Sequence, residues 1–325
     1  MASSVSIGQA SSVSIVIEWE NVLLSGSSRA ERMLELVISQ ANQLPQCRQI
    51  LISATDDQQA LETRPAALRA DIDWQLLHHP GCHYYALKNL GAQRACGEVI
   101  VFVDSDVIPE PDWLQQLLAP FEDAAIQVSC GHAYIDASDL YTRAFALFWF
   151  FPVRERPTGE SRRDRPPGSS WPQTDHFFAN NCAFRRQTAA RHPFPASEVS
   201  SRGACLQLAQ ELQRAGIAIA LNKQAQVAHP PPLPGEHFMQ RALAQGRDRY
   251  LRSRGLSRTL LGSCWRWARN SARTLVKITL LHRRVQLPLI QVPLAWLIGL
   301  TYYGLYWLGE VATMLRLRPV LEITI

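Results

Sequence analysis

Apolar positions along the chain fall into two periods. Val13–Ile17 is a short β-branched run that predicts a strand, and Gln49–Ala54 and the weaker Asp73–Leu77 repeat the signal. Between them, Ser28–Gln43 carries Met33, Leu34, Leu36, Val37 and Ile38 on one side and predicts a helix. A second helix is predicted over Tyr84–Cys96, stopping near Gly97. Val99–Val103 is apolar throughout, as in a strand buried on both faces of a parallel sheet. Strands alternating with helices imply an α/β fold with right-handed crossovers. Ligands of such sheets lie at the carboxyl ends of the strands. Val99–Val103 runs straight into Asp104-Ser105-Asp106, so these residues sit at such an end.

Further along, residues 154–176 are rich in Pro, Gly, Ser and Arg and predict a long surface loop. Cys205–Arg214 predicts a helix ended by Gly216, and Ile217–Leu221 and Ala225–Ala228 predict two short strands. The prolines after His229 close a body spanning residues 11–232, preceded by a flexible segment, 1–10, and followed by a tail, 233–325.

The tail differs in kind. Leu260–Leu281 mixes Trp265, Trp267, Leu275, Ile278 and Leu281 with Arg266, Arg269, Arg273 and Lys277, the composition of a basic helix on a membrane surface. Val285–Gly309 then runs 25 residues without a charge, and about 20 suffice to cross a bilayer. A crossing helix is therefore expected at about 287–309, bent or re-entrant if Pro288 and Pro293 interrupt it. Tyr302, Tyr303, Tyr306 and Trp307 are expected at the far interface.

Charge sharpens this division. The net charge of +5 conceals −5 over residues 1–232 and +10 over residues 233–325. Eleven basic residues precede the apolar run, from Arg247 to Arg284, and only Arg316 and Arg318 follow it. The positive-inside rule then puts the body in the cytoplasm, with membrane lipids as partners of the tail. Cations flanking a long apolar run suit lipid rather than nucleic acid. With 47% hydrophobic and 19% charged residues the chain is neither disordered nor low-complexity. Seven cysteines without a CxxC pair predict reduced thiols rather than zinc or a disulfide framework.

Two carboxylates two residues apart, at the turn leaving a strand, can hold a divalent cation together with a diphosphate. Alone the pattern is more often a solvated turn with acidic caps. Its surroundings decide. Lys88-Asn89, Gly91-Ala92, Ala95, Gly97-Glu98, the apolar strand, Asp104-Ser105-Asp106, Pro109 and Pro111-Asp112-Trp113-Leu114 follow one another in order. Together with Val13–Ile17, Asn180-Asn181-Cys182-Ala183-Phe184-Arg185-Arg186, Leu206–Gly216 and Ala225–His229, they make residues 11–232 resemble an inverting family 2 glycosyltransferase.

The resemblance implies a GT-A (Rossmann-like) fold, a mixed, mostly parallel sheet flanked by helices, here with a C-terminal helical membrane-associated segment. It implies sugar transfer from a UDP- or GDP-type nucleotide-sugar, assisted by Mg²⁺ or Mn²⁺, to a glycan or lipid-linked acceptor. Asp104 would face ribose and metal, Asp106 would ligate the metal, and His229 would add a metal or diphosphate contact. Glu18, Glu20, Asn21, Asp56, Asp57, Lys88 and Asn89 would lie on the donor side. Asn180, Asn181, Arg202 and Gly203 would lie on the acceptor side.

Three departures stand out. Glu18-Trp19-Glu20-Asn21 replaces the usual Pro-Thr-Tyr-Asn after the first strand. Arg202-Gly203-Ala204-Cys205 stands where the family has the Glu-Asp pair that supplies its base. A base must reach the acceptor hydroxyl; Glu198 is the substitute and Asp136 a more remote one. The Gln-x-x-Arg-Trp signature of processive synthases is absent. A non-catalytic nucleotide-sugar binder or scaffold is the alternative to an enzyme.

Overall fold

The computed structural model describes residues 12–56, 59–154, 171–196 and 203–323. Their strands are β1 (Val13–Glu18), β2 (Cys47–Ala54), β3 (Asp73–His78), β4 (Val99–Asp104), β5 (Ile108–Pro109), β6 (Val128–Ile135), β7 (Gln173–Thr174), β8 (Asn181–Arg185) and β9 (Ile219–His229). The helices are α1 (Val22–Ser25), α2 (Ser27–Gln43), α3 (Gln59–Glu62), α4 (Tyr84–Arg94), α5 (Trp113–Leu118), α6 (Leu140–Phe148), α7 (Arg186–Arg191) and α8 (Ala204–Arg214). Four more close the chain: α9 (Glu236–Arg252), α10 (Leu260–Leu281), α11 (Val292–Met314) and α12 (Arg318–Leu321).

The chain divides into two compact units. The first comprises residues 1–133 and 155–228, and the second residues 134–154 and 229–325.

One mixed sheet organises the first unit, in the order β3-β2-β1-β4-β8-β6-β9-β5, with β7 also on β9. β3, β2, β1 and β4 are parallel. β8 pairs antiparallel with β4 and β6. Every residue of β1 and β4 is buried, as apolar runs in central parallel strands require. Val16, Leu51, Ile100, Phe102, Cys182 and Phe184 join Leu208 and Leu212 of α8 in one core cluster. α2 buries Ala30, Met33, Val37, Ile38 and Ala41, spaced for one helical face. Trp113, fully buried, donates through Nε1 to Asn181 Oδ1 at 2.8 Å, and Asn181 Nδ2 donates to the Ala225 carbonyl at 2.8 Å.

The two short strands expected over 217–228 are one strand, β9. The polar residues between them are accommodated by hydrogen bonds: Asn222 Nδ2 donates to the Gln116 carbonyl at 2.7 Å, and Asn222 Oδ1 accepts from Gln224 N at 3.0 Å. Most of the expected 154–176 loop and the segment 1–10 lie outside the described residues.

The second unit is helical. α6 begins with a capping box, Asp139 accepting from Thr142 N at 2.9 Å. The polar stretch after residue 235 is a helix, α9, which buries Ala242, Ala244 and Gly246 together with the ion-paired Arg247 and Asp248. There α9 meets α11 backbone to backbone, since a Cβ at Gly246 would overlap the Tyr306 carbonyl and one at Gly309 the Leu243 carbonyl. α11 starts at Val292, with Pro293 in its first turn where proline is tolerated. It continues past Gly309 because Glu310 is neutralised: Arg266 of α10 donates Nε to Oε1 at 3.0 Å and Nη2 to Oε2 at 2.6 Å. Ser263 also donates to Glu310 Oε2. The aromatic end of α11 is packed rather than laid out as a belt. Tyr302 is fully buried, donates to Gln245 Oε1 at 2.7 Å and accepts from Trp149 Nε1 at 3.0 Å.

Candidate active site

The site grows out of the register between the two central strands. β1 and β4 run parallel with Glu18 opposite Asp104, so both carboxyl groups leave the sheet together at its carboxyl edge. Glu18, Asp104 and Asp106 are all buried. Lys88 on α4 donates Nζ to Asp104 Oδ1 at 2.5 Å, with the two side chains 0% and 3% exposed. Tyr84, one turn earlier on the same helix face, donates its hydroxyl to Asp104 Oδ2 at 2.7 Å. The Tyr84 ring centroid lies 4.9 Å from the Lys88 ammonium. Asn21 Nδ2 approaches Asp104 Oδ2 at 3.4 Å.

Glu18 shapes the turn that leaves β1. Its Oε1 accepts from the backbone N–H groups of Glu20 and, at 3.1 Å, Asn21. Its Oε2 is buried without a hydrogen-bond partner among the described residues. Arg29, in the first turn of α2, donates Nε to the Asp106 carbonyl at 2.5 Å and Nη2 to the Ala228 carbonyl at 3.0 Å. It ties the turn after β4 to the end of β9.

Electrostatics follow from crowding. Burial first, and then the Asp104 charge, push the Glu18 carboxyl well above the usual range, with Lys88 opposing. Burial also raises Asp104, Lys88 opposing and Asp106 adding to the rise. Glu20 is raised by burial, with His83 opposing. Three buried carboxyl groups thus face one buried ammonium, an excess of hard oxygen donors and negative charge that a divalent cation would cancel. Among the described residues no set of three His, Cys, Asp or Glu side chains is arranged to hold a metal. Asp104 and Asp106 fit a cation that takes few protein ligands and completes its shell with phosphate oxygens.

The other sequence-derived residues fall in several places. Asn89 clamps the backbone of Phe194, donating to its carbonyl at 2.8 Å and accepting from its N–H at 2.9 Å. Asn181 is spent on Trp113 and Ala225. Asn180 is buried and its Oδ1 has no hydrogen bond among the described residues. Asp56 is exposed in the bend after β2. Gly203, at φ 97°, caps α8, and Cys205 in the first turn lies with Sγ 3.3 Å from the Tyr85 hydroxyl. Asp57, Glu198 and Arg202 lie outside the described residues. His229 and Asp136 belong to the second unit, where Asp136 N donates to the His229 carbonyl at 3.3 Å and the His229 ring lies 4.7 Å from that of Phe151. Arg29 and Tyr84 were not singled out from the sequence, and no motif marks either.

The parallel half-sheet with acids at its carboxyl edge and antiparallel strands beyond defines a GT-A-like nucleotide-sugar fold. Residues 28–192 match the model of glycosyl transferase family 2, and the chain belongs to that family. Among solved structures it is similar to the mannosyltransferase PcManGT from Pyrobaculum calidifontis in complex with GDP-mannose and Mn²⁺. The TM-score is 0.53 at 14% identity, over 96% of this chain and 89% of that one. A GalNAc-T7 structure with UDP, GalNAc and Mn²⁺ aligns at a TM-score of 0.47 and 13% identity, over 72% of this chain and 48% of that one. No curated protein matches the chain significantly.

Proposed function

We propose that this protein transfers a sugar, with inversion, from a GDP- or UDP-type nucleotide-sugar to a glycan or lipid-linked acceptor at the cytoplasmic face of a membrane. The observation that carries the reading is the β1–β4 register, which brings Glu18 beside Asp104 with Asp106 two residues on and Lys88 beneath. The fold likeness to a mannosyltransferase solved with GDP-mannose and Mn²⁺ supports the donor class. Family membership supports transfer.

Asp104 and Asp106 would hold Mg²⁺ or Mn²⁺, which supplies positive charge against the departing diphosphate. This chain's residues do the positioning. Lys88 and Tyr84 fix both oxygens of Asp104, so its carboxylate presents one geometry to the donor ribose. Glu18 sets the turn that carries Glu20 and Asn21 to the nucleoside side. Arg29 holds the Asp106 backbone in place. The acceptor side would be formed by Asn180, Gly203 and the segment leading into α8.

A second reading is a nucleotide-sugar binder without turnover. It rests on Cys205, whose thiol packs on Tyr85 in the first helical turn, where the family has carboxylates. Calorimetric titration of GDP- and UDP-sugars, with and without Mn²⁺, tests the common part. Wild type should bind one donor class in a Mn²⁺-dependent way, and Asp106→Ala should lose the Mn²⁺ response. An Asp106→Ala titration that still responds to Mn²⁺ as wild type does would remove the assignment.

A further inference from the structure

We infer that α10 and α11 form a hairpin that docks on one anionic leaflet without crossing it. This rests on the membrane association proposed above and specifies its geometry.

The outward stripe of α10 is both apolar and basic. Leu261 and Leu280 are 82% and 72% exposed, and Trp265 and Val276 lie on the same stripe. Between them runs a shallow groove floored by Ala268 and Ala272 and flanked by Arg269, Arg273 and Lys277. The turn from α10 into α11 continues the apolar surface, with Leu289 and Ile290 71% and 86% exposed. Leu294 and Leu297 in the first turns of α11 are exposed as well. Arg283 and Arg284 stand exposed at this tip. Apolar side chains that enter the acyl region beside cations that reach the headgroups are the chemistry of an anionic lipid surface.

Two fastenings oppose a crossing. Glu310 of α11 is buried against Arg266 and Ser263 of α10. Arg247 of α9 donates Nη1 to the carbonyls of Val320, Leu321 and Ile323 at 3.2, 3.2 and 2.6 Å, which pins the chain beyond α11 to a charged helix. If α11 crossed alone, Glu310 and Arg266 would lose each other. If the hairpin crossed whole, Arg269, Arg273 and Lys277 would enter hydrocarbon, where charged side chains are strongly disfavoured. A hairpin lying in one leaflet keeps both fastenings and leaves Arg269, Arg273 and Lys277 at the headgroups.

The test uses the full chain and sealed phosphatidylcholine vesicles with and without phosphatidylglycerol. Co-sedimentation should require phosphatidylglycerol. The triple variant Arg269→Gln, Arg273→Gln, Lys277→Gln should bind on the order of 100-fold more weakly, since each cation adds roughly a factor of five. By peptide mapping, which separates it from the exposed native Cys96, Leu317→Cys should remain open to an impermeant maleimide added outside. Ile290→Cys should not react with the same reagent trapped in the lumen. Both positions are exposed, so neither change disturbs the core. Protection of Leu317→Cys until detergent is added, or luminal labelling of Ile290→Cys, overturns the hairpin and leaves membrane association standing. Triple-variant binding equal to wild type overturns the role of the cations. Failure of wild type to sediment with either vesicle overturns the membrane reading itself, and the inference with it.

Discussion

Replacing Lys88 with Met keeps most of the side-chain volume and removes the ammonium that pairs with Asp104. In the native protein Lys88 Nζ lies 2.5 Å from Asp104 Oδ1, and neither side chain meets solvent. The variant leaves Asp104 with the Tyr84 hydroxyl and the distant Asn21 amide, beside the buried carboxyl groups of Glu18 and Asp106. Breaking a buried pair by removing one partner costs about 3–5 kcal/mol, because the other charge stays buried. That is a large share of a domain's net stability of about 5–15 kcal/mol. At about 2–4 °C per kcal/mol for a unit of this size, the first unit should melt roughly 6–20 °C lower. Adding Asp104→Asn removes the uncompensated charge, so the double variant should recover much of the loss. Thermal and urea unfolding followed by tryptophan fluorescence read both effects as a double-mutant cycle. A Lys88→Met melting point within about 3 °C of wild type would refute the argument, as would a double variant no more stable than Lys88→Met alone.

The same reasoning predicts that Glu310→Ala destabilises the helical unit by about 3–5 kcal/mol by stranding buried Arg266. Arg266→Met with Glu310→Leu should restore most of it, measured by urea unfolding. Burial pushes the Cys47 thiol up to about 11. At pH 8 almost none of it is thiolate, and reactivity should appear only as pH approaches that value. Peptide mapping after maleimide treatment at pH 8 should find exposed Cys96 modified and Cys47 untouched; equal labelling would contradict the burial argument.

Legibility in the sequence followed the range of the interactions. β4 was readable because a strand buried on both faces is apolar at every position, and the acids at its end needed only chain adjacency. β9 reads as two pieces in the sequence because Asn222 and Gln224 break the apolar pattern. Their compensation is a hydrogen bond to Gln116, 106 residues away. Tyr84 and Arg29 were hidden for a related reason. A phenol on a helix and an arginine in a helix's first turn become site residues only when α4 and α2 dock beside β4. Asn89 and Asn181 carry contacts that no motif announces: their side-chain amides donate to the backbone carbonyls of Phe194 and Ala225. In the second unit, composition marked α10 and α11. It could not show that Glu310, at the edge of the uncharged run, pairs with an arginine on α10, because that contact exists only once the two helices fold back on each other.

Nucleoside diphosphate release, measured on a panel of GDP- and UDP-sugars with a membrane-lipid extract as acceptor source, tests the central claim most directly. Wild type should release the diphosphate from one donor class only when Mn²⁺ or Mg²⁺ is present. Asp106→Ala should fall by on the order of 100-fold or more, the usual scale for losing transition-state charge stabilisation. Release by Asp106→Ala at the wild-type rate, or metal-independent release by wild type, would contradict the account.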